Sequence, residues 1–396
     1  MAIAQARAEE LPRPGPLRLH GVFWNALGHG SVAYALTELF DNLPEDAVDR
    51  SLWFLGGSPM SPRPYFRPAL SQFVYRALCK LRVPAHIQGR IAGASVLKAL
   101  RPGDIVYMWP PYDLRLIKRV QKRGGIVVAE RTNVMDPMGY DVLSRAYARR
   151  GMPLPVGWFP PEGMALNQLE MKQCDFIVAR NSFVTQSLLD VGFPRDRIIE
   201  GAYGFSPSRL AAAVGAKRPT RPPVFAFVGL CIVRKGFDVL LEAWKQAGVN
   251  GKLLIAGQME DDMREAYADI LARPDVEYLG HVKDIAAVYA NADVFVFPTH
   301  EEGGPQVTYE AAGCGLPSIV SPMGAGRIVR DGIECLIVDP LKVDELASAI
   351  TKLAEDETLR RDMGEAASKR AREFTWAKAG EQLYKQFVGL RPRATA

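Results

Sequence analysis

Two carboxylates with seven residues between them, Glu302 and Glu310, sit in a stretch suited to holding a polar ligand. It reads Glu301-Glu302-Gly303-Gly304-Pro305-Gln306-Val307-Thr308-Tyr309-Glu310-Ala311-Ala312-Gly313-Cys314-Gly315-Leu316-Pro317. An apolar run, Ala292 to Pro298, precedes it and reads as a buried strand. A helical pattern follows, then a second short strand at 318–320. In an open α/β sheet, the loop that leaves a strand's carboxyl end and opens a helix is where ligands bind. The first turn of that helix has N–H groups without intrahelical partners, which suits a phosphate. The N–H donors expected there are those of Gln306, Val307 and Thr308, because Pro305 has none. The two glutamates then face the hydroxyls of the same ligand. On an unremarkable helix such a pair is a solvated face; the preceding strand and the glycines favour the site.

A cation stands ready in Gly229-Leu230-Cys231-Ile232-Val233-Arg234-Lys235-Gly236, which follows an apolar run at 224–228. Lys235 can meet a diphosphate, with Arg234 assisting, and stabilise the charge that develops when that group leaves. An Arg-Lys pair at a helix start is otherwise disfavoured by the helix dipole. Leu279-Gly280-His281 ends another strand on the same side. In the first half, Asn25-Ala26-Leu27-Gly28-His29-Gly30-Ser31 links a strand to a helix, and Gly28 and Gly30 allow close backbone approach. The spacing does not fit G-x-G-x-x-G. Glu130-Arg131-Thr132-Asn133 ends a strand at 126–129 and reads as a polar cluster at the cleft. Arg180-Asn181-Ser182 repeats the arrangement, with Asn181 or Ser182 able to cap the next helix.

The elements that position these groups alternate along the chain. Strands are expected at 17–23, 51–55, 104–108, 126–129, 176–179 and 197–200, then at 224–228, 252–255, 276–279, 294–297, 318–320 and 336–338. Helical patterns occupy 31–40, 68–81, 112–123, 237–247, 344–355 and 375–388. Such alternation predicts an α/β protein with parallel sheets covered by helices on both faces. An Ala-, Lys-, Arg- and Pro-rich stretch at 212–223 reads as a linker. The expected organisation is a disordered tail at 1–16, a Rossmann-like domain at 17–218, a second at 219–374 and a final helix at 375–396. Two such domains leave a deep cleft, a favoured place for ligands.

The carboxylate stretch resembles the Glu-x7-Glu motif of retaining GT-B glycosyltransferases of the family-4 type, and 229–236 resembles that family's Gly-Arg-Leu…Lys-Gly segment. The resemblance covers roughly 224–340 well and the first half more loosely. It implies two Rossmann-like domains facing across a cleft, with the last helix crossing back to the first domain. It implies metal-free, cofactor-free transfer from a nucleotide sugar to a saccharide or lipid-linked acceptor, with Lys235, Glu302 and Arg234 in catalytic roles. Glu310 would accept from the donor ribose and Glu302 from the sugar ring. Gly28, Gly229, Gly280, Gly303 and Gly304 would line the donor site. His29, Gly30, Glu130, Arg131 and Asn133 would face the acceptor. This chain departs from the pattern at Leu230, where Arg is usual, at Gly304 and Pro305, and at 130–131, where relatives carry a His. These departures keep open a scaffold that binds nucleotide or saccharide without turnover. A phosphorylase-like reading lacks a pyridoxal-binding lysine context.

Bulk properties agree with two domains: 396 residues are too many for one compact core. No run of eighteen apolar residues occurs, and the polar, Pro-rich start lacks the apolar segment of a secretory signal. The five cysteines are scattered and form no CxxC pair, which suits a reducing compartment, and no metal-ligand spacing is present. Residues 1–218 hold 28 Lys and Arg against 18 Asp and Glu; the rest hold 21 against 26. A basic first half points to an anionic partner, either a phospholipid surface or a phosphorylated acceptor, and no nucleic-acid motif accompanies it. Residues 64–90 combine apolar side chains with Arg67, Arg76, Lys80, Arg82 and Arg90. They form either a basic amphipathic helix resting peripherally on an anionic membrane from the cytoplasmic side, or a helix packed on its sheet with a solvated basic face.

Overall fold

Strands buried on both faces must be apolar throughout, and this chain contains several such runs. In the computed structural model, which describes residues 15–25, 31–56, 62–83, 85–216 and 221–391, they build two parallel sheets. Residues 1–14 of the expected tail at 1–16, and Gly28, His29 and Gly30 of the glycine loop, lie outside the described residues. The first sheet comprises β1 (Leu17–Phe23), β2 (Val48–Phe54), β3 (Phe66–Pro68), β4 (Ile105–Trp109), β5 (Ile126–Arg131), β6 (Phe176–Ala179) and β7 (Ile198–Glu200). The second comprises β8 (Val224–Val228), β9 (Lys252–Ala256), β10 (Val276–Gly280), β11 (Val294–Phe297), β12 (Ser318–Val320) and β13 (Cys335–Ile337).

Strand order is β3-β2-β1-β4-β5-β6-β7 in the first sheet and β10-β9-β8-β11-β12-β13 in the second. Each order reverses once, between β1 and β4 and between β8 and β11. Crevices open beyond the carboxyl ends of strands at such reversals. The loops leaving β8 and β11 carry Arg234-Lys235 and Glu301-Glu302, so the topology itself brings cation and carboxylates together.

Residues 64–90 are a correction. A short edge strand, β3, comes first, then a helix at Gln72–Lys80, then a break at Arg82 with φ 52°, then a helix beginning at Ala85. The first of these helices buries none of its residues. Its Tyr75 and Leu78 are partly buried against the first half's core, while Phe73 stays exposed.

The two halves share one apolar cluster, which runs from Leu17 through Tyr203 and Phe205 to Trp376 and Phe387. The final helix, Trp376–Val388, crosses back to the first half, as expected for this fold. The Trp376 ring lies 6.0 Å from the ring of Tyr34 and 5.7 Å from that of Tyr203. Its Nε1–H donates to the Tyr34 hydroxyl at 3.3 Å. Gln386 Nε2 donates to the Glu200 carbonyl at 2.7 Å. Further along the seam, Arg149 Nη1 pairs with Glu242 at 2.7 Å and its Nη2 donates to Asp238. Trp376→Ala should lower stability by about 3–5 kcal/mol, the usual cost of emptying a large aromatic site. Urea unfolding checks this, and an unchanged midpoint would show that the crossing helix does not hold the halves.

Candidate functional site

Between the sheets lies a cleft of about 1040 Å³. Its second-half wall contains Gly229, Leu230, Arg234, Lys235, Glu302, Gly304, Gln306, Val307 and Glu310. Its first-half wall contains Tyr34, Thr37, Glu38, Arg63, Thr132, Asn133, Tyr203 and Arg209. Ligand pockets span roughly 300–1,000 Å³, so the cleft is large enough for a sizeable ligand.

Lys235 ends a single 3-10 turn, Val233–Lys235, and is almost wholly buried. Burial pulls its ammonium below the usual lysine range, and Glu302, to which Nζ donates, works against that fall. Arg234 points differently: Nη1 pairs with Glu301 at 3.0 Å. Glu301, not singled out by the sequence reading, is the hub of this loop. It also accepts from Asn133 Nδ2 at 2.9 Å and from the Val134 N–H at 3.1 Å, both in the first half. Its signal in the sequence is weak, because the adjacent Glu302 fits the spacing to Glu310.

Glu310, in the helix Gln306–Gly313, is buried with its carboxylate at the cleft. The Tyr289 hydroxyl donates to Oε2 at 3.1 Å, and Arg209 Nη1 donates to Oε1 at 2.5 Å. Arg209 is a second residue the sequence reading missed, since it lies just before the stretch that reads as a linker.

The expectation that Gln306, Val307 and Thr308 offer their N–H groups to a phosphate needs correction. The Gln306 N–H donates to the Gly304 carbonyl and that of Thr308 to the Pro305 carbonyl, both at 2.9 Å. Val307 lines the cleft, whereas the Thr308 side chain is buried and donates to the Gly324 carbonyl at 2.7 Å. Gly304 lines the cleft, and it and Gly303 also meet a packing need. A Cβ on Gly303 would come within 1.8 Å of the Thr132 carbonyl oxygen, and one on Gly304 within 2.4 Å of the Tyr203 ring. They let the motif loop touch the first half. Gly280 accepts from the Gly257 N–H at 2.8 Å at the end of β10, while His281 beside it lines the cleft.

On the first-half side the residues expected to face an acceptor divide. Asn133 lines the cleft, as expected. Glu130 does not: β5 continues to Arg131, and the Glu130 side chain turns into the sheet's interior, fully buried. There it accepts from Arg180 Nε at 2.9 Å, from the Tyr203 hydroxyl at 3.0 Å and from the Tyr107 hydroxyl. Burial, with Glu130 beside them, raises both tyrosines well above their ordinary range, so they remain donors. Arg131 is also occupied, holding the carbonyls of Asn133 and Val134 at 2.9 and 2.7 Å and the Asp136 carboxylate at 3.2 Å. It shapes the loop that carries Asn133, and it lines a second cavity of about 320 Å³ that shares Asn133 and Arg234 with the cleft. Asn181 caps its helix by accepting from the Phe183 N–H, and also donates to the Met323 carbonyl at 3.0 Å. His300 is buried and pushed down to about 4 by desolvation and by Arg149, so it is neutral at physiological pH.

Removing one partner of a buried ion pair strands the other, at a cost of about 3–5 kcal/mol. Glu130→Gln should therefore lower unfolding stability by that order. Full stability in the variant, measured by urea unfolding, would return Glu130 to the cleft.

Residues 222–356 match the family described as Glycosyl transferases group 1. The chain is 33% identical over 177 residues to the capsular polysaccharide biosynthesis glycosyltransferase CapM of Staphylococcus aureus, covering 42% of this chain and 46% of that protein. It spans about half the length of the curated relatives it matches. HepE of Anabaena, in complex with UDP and glucose, superposes with a TM-score of 0.65 at 14% identity, over 94% of this chain and 100% of that one. Sucrose-phosphate synthase from Thermosynechococcus elongatus gives 0.72 at 16% identity, over 93% and 98%. At these identities the structural likeness speaks for the fold, which is GT-B across both halves. The segment that matches this family contains Lys235, Glu302 and Glu310 on their two loops.

Proposed function

We propose that this protein transfers a sugar from a nucleoside diphosphate donor to an acceptor hydroxyl with retention of anomeric configuration, in polysaccharide or glycolipid assembly. The observation that carries the reading is the convergence of Lys235, Glu302 and Glu310 on one cleft between two parallel sheets. Polysaccharide assembly is the work named for CapM, and HepE was seen with UDP and glucose.

In this reading the resting pair Lys235–Glu302 exchanges partners when donor binds. The ammonium turns to the diphosphate and the released carboxylate accepts from sugar hydroxyls, while Glu310 accepts from the ribose diol. The bond between the anomeric carbon and the phosphate oxygen then breaks. The acceptor oxygen attacks from the same face, and its proton passes to the leaving phosphate. Lys235 stabilises the charge on that phosphate in a low-dielectric setting, where one such group supports roughly 10²–10³ in rate. Neutralisation by a side chain makes a divalent ion unnecessary.

Lys235→Ala should cut kcat by that factor in protein that still folds, measured as nucleoside diphosphate released from a panel of nucleotide sugars. Wild-type turnover in the folded variant would contradict the mechanism. EDTA should leave the rate unaltered, and NMR of the product should show the donor's anomeric configuration. Loss of rate with EDTA or inversion at the anomeric carbon would each overturn its part.

We also place the protein in the cytoplasm, peripherally on the inner face of a membrane. No described helix is long and apolar enough to cross one. The helix Gln72–Lys80 and its flank leave Phe73 83% and Leu81 73% exposed, beside exposed Arg76, Lys80 and Arg82. Apolar side chains ringed by cations suit an anionic lipid surface. Flotation should find the protein with phosphatidylglycerol vesicles and not with phosphatidylcholine ones, and a Phe73→Ser, Leu81→Ser protein should stay behind. Equal recovery from both lipids would sink the contact.

A further inference from the structure

Glu310 holds its carboxylate where little solvent reaches it. Its side chain is 6% exposed, whereas Arg209, which reaches it from the end of the first half, is 41% exposed. Arg209 is itself held: its guanidinium lies 4.6 Å from the centre of the Tyr34 ring, and Tyr34 is tied to Trp376. One side of the guanidinium is thus braced by the first half, and the other meets the second half's motif carboxylate at 2.5 Å. Both residues line the cleft.

We propose that Arg209 is a positioning residue of the donor site, which fixes the Glu310 carboxylate for the ribose only while the two halves stand in this arrangement. The inference rests on the nucleotide-donor reading above. A carboxylate desolvated to this degree tends to take up a proton, and an adjacent guanidinium opposes that. Burial does raise Glu310 above the usual carboxylate range, and Arg209 is the largest influence acting against it, with Tyr289 next. The other groups facing this pair are Gln306 on the same helix, Tyr34 and Glu38 around the guanidinium, and Cys314 behind Tyr289. Neither Tyr34 nor Glu38 supplies positive charge, so no neighbour replaces Arg209. Separating the halves withdraws the cation, which couples donor affinity to closure.

The sign of the pH dependence follows. An ionised Glu310 accepts both ribose hydroxyls, and a protonated one loses acceptor capacity, so donor binding falls as pH drops through the Glu310 pKa. Without Arg209 that pKa rises, and binding is lost at a higher pH.

The test is calorimetric titration of UDP, GDP, ADP and dTDP into wild type, Arg209→Gln, Arg209→Lys, Glu310→Gln and the Arg209→Gln, Glu310→Gln double variant, between pH 5 and 8. For the nucleotide that wild type binds, Arg209→Gln should weaken binding on the order of tenfold at neutral pH, as for loss of a charged hydrogen bond. Its acid limb should move to higher pH, and Arg209→Lys should restore most of both. In the Glu310→Gln background, loss of Arg209 should add little. An unshifted acid limb in Arg209→Gln, or full additivity in the double variant, overturns the positioning role while leaving the donor reading intact. Binding of none of the four nucleotides by wild type overturns both.

Discussion

A carboxylate removed from water must be satisfied on every side, and Glu301 is satisfied only if the two halves meet. It takes hydrogen bonds from Asn133 and the Val134 N–H on one side of the cleft and from Arg234 on the other. Leaving such a group unpaired costs several kcal/mol, so this contact fixes where the loop after β11 lies against the loop after β5. Gly303 completes the fit, since only a residue without Cβ can lie against the Thr132 carbonyl. The cleft inherits its shape from that junction: Glu302 is the next residue along, and Lys235 the next after Arg234.

The cleft is therefore a place of paired charges. Glu302 holds Lys235, Glu310 holds Arg209, and Arg63 is held by Asp41 at 2.9 Å. A diphosphate entering this space displaces existing pairings instead of finding bare cations. Its affinity is then a difference between two sets of electrostatic contacts, both strengthened by the low dielectric.

Much of this was legible in the residue pattern. β6, β8 and β11 begin and end where their apolar runs do, because strands buried on both faces are apolar throughout. Lys235, Glu302 and Glu310 were legible because loops after strands at a sheet's reversal have one place to go. Glu130 was not. Ending the strand at Ala129 puts it in a loop, whereas one further turn of the pleat sends it inward to Arg180. Glu301 and Arg209 belong to the site through partners far away in sequence, Asn133 and Glu310, and no local spacing records such contacts.

The central claim is that the cleft binds a nucleotide sugar through Glu310. Saturation-transfer NMR of UDP-, GDP-, ADP- and TDP-sugars against wild type and Glu310→Ala tests it most directly. The account predicts saturation of the ribose protons of one nucleotide sugar by wild type, lost in the variant. Saturation of none of them, or equal saturation by both proteins, would contradict it.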